Sequence, residues 1–128
     1  MLQLTFKVTA NPPSMRKITL VKQQNPSLPD DEIDFGGPIV AGGEGLQMGE
    51  GDTLKLEMFE GDEPIAVLDQ SNGSIKNVVS IPTAISFSMN TNGSSHPDGD
   101  WWGKDVLFTA TIGGERVTRW LKFHDHEA

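Results

Sequence analysis

The sequence contains no cysteine and no tyrosine, and the absence of cysteine excludes several kinds of structural and catalytic site. Without cysteine there is no disulfide framework, no thiolate zinc site and no cysteine nucleophile. The chain also lacks Gly-x-Ser-x-Gly, His-Glu-x-x-His and the Gly-Lys-Ser/Thr ending of a phosphate-binding loop. We therefore expect a non-enzymatic protein. A glycosidase-type pair of carboxylates remains an alternative, because the distance between two carboxylates in the folded protein cannot be read from a linear sequence.

Long apolar runs are absent as well. No stretch approaches the roughly 18 apolar residues of a membrane helix. Residues 1–10 alternate apolar and polar side chains, whereas a signal peptide has a basic start and an unbroken apolar stretch. These features predict a soluble chain without a membrane span, cytoplasmic by default.

Basic residues are scarce, with 10 Lys and Arg against 18 Asp and Glu and a formal net charge of −8. Such a charge repels phosphate backbones, so we do not expect nucleic acid as a partner. The distribution is uneven, because residues 30–63 contain eleven acids and only one base. Residues 1–29 contain no acid and four bases, which are Lys7, Arg16, Lys17 and Lys22. This pattern predicts either a dipolar molecule or an acidic, solvated, loop-rich face.

The sequence is rich in short segments with period-two alternation, which is typical of half-buried strands. Turn-forming Gly, Pro, Asn and Asp separate these segments, and no window of ten residues favours an amphipathic helix. We predict strands within 2–8, 15–23, 38–41, 53–59, 64–68, 76–81, 84–89, 105–112 and 115–123. About eight strands predict an all-β, single-domain antiparallel sandwich over residues 1–128, of Ig-like or jelly-roll type. A long Gly/Pro-rich acidic loop at 25–52 interrupts the pattern.

The last two strands flank Gly113-Gly114, which is the signature of a tight hairpin turn. Counting outward from this turn predicts which side chains lie opposite one another. The core side is predicted to contain the pairs Ile112–Glu115, Ala110–Val117, Phe108–Arg119 and Val106–Leu121. The outer side is predicted to contain Thr111–Arg116, Thr109–Thr118, Leu107–Trp120 and Asp105–Lys122. Trp120 is therefore expected to face outward.

Two further tryptophans, Trp101 and Trp102, precede this hairpin. Because neighbouring residues of a strand point to opposite faces, the same parity predicts Trp102 inside and Trp101 outside. Trp101 would then form an aromatic shelf with Leu107 and Trp120, edged by Asp105 and Lys122. An exposed indole face beside polar groups suits a sugar ring or a protein contact. The alternative is that another part of the fold covers these side chains.

Several carboxylates surround this stretch and raise the question of calcium. Asp98, Asp100 and Asp105, together with the amides of Asn90 and Asn92, offer hard oxygen ligands within one loop. The spacing departs from an EF-hand, because Trp102 occupies the fifth position and Thr109 the closing one. The residues predict either an irregular calcium site or, more commonly, turn and cap interactions. His124 and His126 lie on one side of an extended chain and suit a transition metal, unless they belong to a frayed terminus.

Two functional classes follow from these features. The first is a lectin-like or carbohydrate-binding module, with contacts from Trp101, Trp120, Leu107, Asp105, Lys122 and Asn92. The second is a structural or interaction protein, such as a self-assembling, virion or toxin-type component, in which the same aromatics and the acidic loop contact another protein. Homo-oligomers are compatible with the second class. We expect no cofactor, and calcium is the alternative that Asp98, Asp100 and Asp105 leave open.

Overall fold

The computed structural model describes residues 15–23 and 27–126. The strand predicted within 2–8 lies outside these residues. The described elements are β1 (Lys17–Gln23), β2 (Glu32–Ile33), β3 (Ile39–Glu44), β4 (Thr53–Glu60), β5 (Glu63–Asp69), β6 (Ile75–Ile81), β7 (Ala84–Met89), α1 (Asp98–Trp101), β8 (Asp105–Ile112) and β9 (Glu115–Phe123). The fold is therefore all-β, with a single helical turn in the described part of the chain.

The nine described strands form two sheets. One has four strands in the order β1-β3-β7-β6, and the other has five in the order β2-β9-β8-β4-β5. Every pairing is antiparallel except that of β2 with β9, which is parallel and corrects the expectation of a purely antiparallel fold. The predicted long loop at 25–52 contains β2 and all of β3, so it is less irregular than its composition indicates.

The inward side chains of both sheets meet in one buried cluster. Phe87 of β7 stacks on Phe108 of β8 with ring centroids 5.3 Å apart, so the two aromatic rings join the two sheets. Alternation explains the cluster, because every second residue is apolar and buried along β7, along β8 and in β4 as far as Met58. The side chains between them remain on the outer faces.

Arg119 and Glu115 are the charged members of the predicted core side of the hairpin, and the structure shows the partner of Arg119. Its guanidinium donates to both carboxylate oxygens of Asp31 at 2.9 and 2.7 Å, and to the carbonyl of Ile18 at 3.2 Å. Asp31 also accepts the backbone N–H of Val21 at 2.9 Å. Because Arg119 lies on β9 and Ile18 and Val21 on β1, the pair ties one edge of each sheet together.

Candidate functional site

The β8–β9 hairpin has the register predicted from its glycine turn. Leu107 lies opposite Trp120, and Asp105 lies opposite Lys122. Lys122 Nζ is 3.0 Å from Asp105 Oδ1, and both side chains are exposed. Trp120 is 55% exposed and Leu107 is half-buried on the same outer face. The prediction of an outward Trp120 is confirmed.

Trp101 is not part of this surface, which corrects the sequence-based prediction. It is 0% exposed, with Phe35 and Phe123 at ring-centroid distances of 6.2 and 6.1 Å. Trp102 is half-buried, with the ring of His126 4.7 Å away. The parity argument failed because residues 98–101 form one turn of helix, so the alternation of β8 begins only at Asp105.

A different aromatic residue, Phe59 at the end of β4, takes the place expected for Trp101. Its ring centroid is 5.0 Å from that of Trp120, with the planes at 68°, in an edge-to-face arrangement. We call the adjoining depression the Trp120 cleft. It has a volume of about 460 Å³ and is lined by Phe59, Gly61, Asp62, Asp105 and Trp120. Its size lies within the range of small-molecule sites.

Sequence reasoning missed Phe59 and Asp62, although one signal was present. In β4 the outward positions are Lys55 and Glu57, and the same parity places Phe59 outward as well. The sequence could not predict that Phe59 lies near Trp120, because this contact depends on β8 lying between β4 and β9 in the sheet. Asp62 belongs to the turn between β4 and β5, which the sheet order brings beside β8.

The other residues proposed for binding lie elsewhere or at the edge of the cleft. Lys122 reaches it through its ion pair with Asp105, and Leu107 lies beside Trp120 in the register. Asn92 does not line the cleft, and its backbone N–H donates to Asn90 Oδ1 at 2.8 Å in a turn. The structure therefore retains four of the six proposed ligand-binding residues at one surface.

The proposed calcium ligands are not brought together. Asp98 accepts a hydrogen bond from Thr91 at 2.9 Å, and Asp100 lies 3.1 Å from His96. Asp105 is paired with Lys122 instead. Within residues 15–23 and 27–126, the structure contains no group of three or more histidine, aspartate or glutamate side chains that could hold a metal ion. Each of these carboxylates has its own local partner instead.

The two C-terminal histidines are also paired with carboxylates. His124 Nδ1 is 2.9 Å from Glu32, and His126 Nε2 is 2.8 Å from Asp34. The two rings are 4.9 Å apart and nearly perpendicular. These contacts fasten the chain after β9 to the segment that contains β2, which is a structural role.

Comparison of the chain with protein-family models, with curated proteins and with solved structures found no match. In the described part of the chain, no helix has the length and apolar character needed to cross a membrane.

Proposed function

We propose that this protein is a non-enzymatic carbohydrate-binding module that uses the Trp120 cleft. The observation that carries the proposal is a largely exposed tryptophan, held by an edge-to-face contact with Phe59, in a cleft that also contains Asp62 and Asp105. The C–H face of a sugar ring packs well on an indole, and its hydroxyl groups donate to carboxylates. Lys122 supplies a donor at the rim.

The same cleft favours binding over hydrolysis. A glycosidase needs two carboxyl groups on either side of the scissile bond, one of them kept protonated by an apolar site. Asp62 and Asp105 are both exposed, and Asp105 is engaged with Lys122. These surroundings suit hydrogen bonds to a bound sugar.

The order of the strands supports an Ig-like sandwich over a jelly roll as the scaffold of this single domain. An Ig domain of the constant type has one sheet in the order A-B-E-D and the other containing C, F and G. The sheet β1-β3-β7-β6 has the first order when its strands are named A, B, E and D. The run β9-β8-β4-β5 then corresponds to G, F, C and one further strand, as in domains of the variable type.

A protein ligand at the same surface is the second candidate. Beside Trp120, the row across the five-stranded sheet continues through Leu107 and Glu57 to Val67. Val67 is 37% exposed, so apolar surface extends beyond the cleft. Exposed aromatic and aliphatic side chains beside a polar residue are typical of protein interfaces, in which tryptophan is enriched.

Tryptophan fluorescence tests the first proposal, because Trp120 is the most exposed of the three indoles. We expect sugars selected on a glycan array to change the emission of the wild-type protein. Trp120→Ala should abolish this change and weaken binding about tenfold or more. Thr118→Ala is the matched control, since Thr118 is exposed on the same strand and does not line the cleft.

Calcium provides a further comparison in the same titration. Because the acidic residues near the cleft are not grouped as metal ligands in the described residues, chelation of calcium should leave sugar binding unchanged. An array without sugar ligands, or an unaltered titration with Trp120→Ala, would contradict the proposal. Binding of proteins but not sugars that is lost with Trp120→Ala would favour the second candidate.

A further inference from the structure

The outer face of the four-stranded sheet, opposite the surface of Trp120, carries exposed apolar side chains in two rows. One row is Lys22, Val40, Ser86 and Val79, and the next is Leu20, Gly42, Ala84 and Ile81. Val79 is 65% and Ile81 54% exposed. The strand β7 contributes only alanine and serine to these rows, so small side chains form the middle of this face. Contiguous exposed apolar surface of this kind marks interaction sites.

The two sheets carry opposite net charge. The strands of the four-stranded sheet contain three lysines and one acid, which are Lys17, Lys22, Lys76 and Glu44. The strands of the five-stranded sheet contain four bases, which are Lys55, Arg116, Arg119 and Lys122. They contain seven acids, which are Glu32, Glu57, Glu60, Glu63, Asp69, Asp105 and Glu115. The strands of the two sheets therefore differ in the sign of their net charge.

We propose that the four-stranded face binds the five-stranded side of a second copy of this chain. Charge complementarity selects this arrangement, because two four-stranded faces together would oppose lysines to lysines, whereas the unlike sheets attract. Val79 and Ile81 supply apolar surface, and the exposed β5 residues Pro64 and Val67 supply it on the other copy. The inference goes beyond sugar binding, since it assigns a partner to the opposite sheet.

A contact between unlike faces is heterologous, so a pair of copies keeps one free four-stranded face and one free five-stranded face. Such contacts generate rings when the rotation closes and open chains when it does not. Four strands about 4.8 Å apart and about six residues long cover a rectangle of about 15 by 20 Å. This is small beside a standard interface of about 800 Å² per partner, so the association is reversible and depends on concentration.

Sedimentation velocity over a concentration series tests the proposal. Wild-type protein should sediment faster as its concentration rises, and high ionic strength should weaken the association because exposed charges are screened. Val79→Ser with Ile81→Ser should also weaken it without a change in charge. Ser95→Asp, in an exposed loop outside both sheets, is the control for the effect of one added negative charge away from the proposed contact. Thermal melts followed by circular dichroism establish that each variant is folded.

Reversing the charges of exposed residues on each sheet tests which two faces are in contact. Lys17→Glu with Lys76→Glu makes both sheets acidic, and Glu60→Lys with Glu63→Lys makes both sheets basic. Each double variant alone should associate at least about tenfold more weakly than the wild type, and an equimolar mixture should restore association. All four side chains are exposed and none lines the Trp120 cleft, so sugar binding is a separate readout.

A wild-type protein that remains monomeric at every concentration and ionic strength would overturn the proposal. So would an association that ends at two copies and is indifferent to both exchanges, which would identify a two-fold contact. A mixture that fails to associate, while the wild type does, would also exclude the pairing of unlike faces.

Discussion

At the scale of single residues, Trp101 is the largest of the fully buried side chains. Its indole lies between Phe35 and Phe123 and so belongs to the packing of the core. Its Nε1 is buried and has no hydrogen-bond partner in the described part of the chain. Burial of an unpaired N–H is unfavourable, so the contribution of this residue comes from packing.

Truncation of Trp101 should therefore destabilise the fold strongly. Trp101→Ala should lower the free energy of unfolding by about 3–5 kcal/mol, as large aromatic truncations do in cores. Trp101→Phe should cost less, because an aromatic ring remains and the unpaired N–H is removed. Urea denaturation measures each change. Trp102→Ala is the comparison, since Trp102 is half-buried, and a loss as large as that of Trp101→Ala would contradict the placement of the two indoles.

At the scale of elements, the β8–β9 hairpin sets the outer face on which Trp120 lies. Gly113 and Gly114 have φ of 60° and 83°, which is the left-handed conformation that both central residues of a type I′ turn require. The N–H of Gly113 also donates to Asp52 Oδ1 at 3.0 Å. Together with the N–H of Gly49, this bond holds the pKa of Asp52 below its ordinary value.

Substitutions in this turn should differ by position and side chain. Gly114→Ala should destabilise the fold by about 1–2 kcal/mol, because an alanine is strained in the left-handed region. Gly113→Asn should cost less, since asparagine tolerates this conformation and is frequent at the first turn position. Thermal unfolding compares the two variants. Equal stability of Gly114→Ala and the wild type would argue against the type I′ turn.

At the scale of the whole molecule, the Asp31–Arg119 pair links the two sheets at one edge. The hydrogen bonds from Arg119 hold the pKa of Asp31 below its ordinary value of 3.8, and burial opposes this shift. The same pairing raises the pKa of Arg119. Because the folded pKa of Asp31 is depressed, the stability it contributes is fully present above pH 3.8 and is lost as the pH falls through the folded value.

Asp31→Asn should reduce the stability at neutral pH by about 1–3 kcal/mol, because it removes a charged acceptor from Arg119. It should also flatten the loss of stability below pH 3.8, with a remaining slope from Asp52. Urea denaturation as a function of pH measures both effects. The exposed Asp30→Asn is the control for one negative charge, and an unchanged acid profile in Asp31→Asn would contradict the assignment.

The all-β fold, the positions of β1 and of β3 to β9, the hairpin register and the outward Trp120 were determined by the sequence alone. The reason is local: alternation has a period of two, and two glycines between two alternating segments leave one register. The placement of Arg119 on the core side followed from the same count, although its partner did not.

Only the tertiary structure decided the composition of the candidate site. Trp101 is buried because a helical turn lets its ring meet Phe35 and Phe123, and these contacts are distant in sequence. Phe59 stands beside Trp120 because β8 separates β4 from β9 within one sheet. Such contacts depend on the order of strands in the sheets, and local periodicity carries no information about that order.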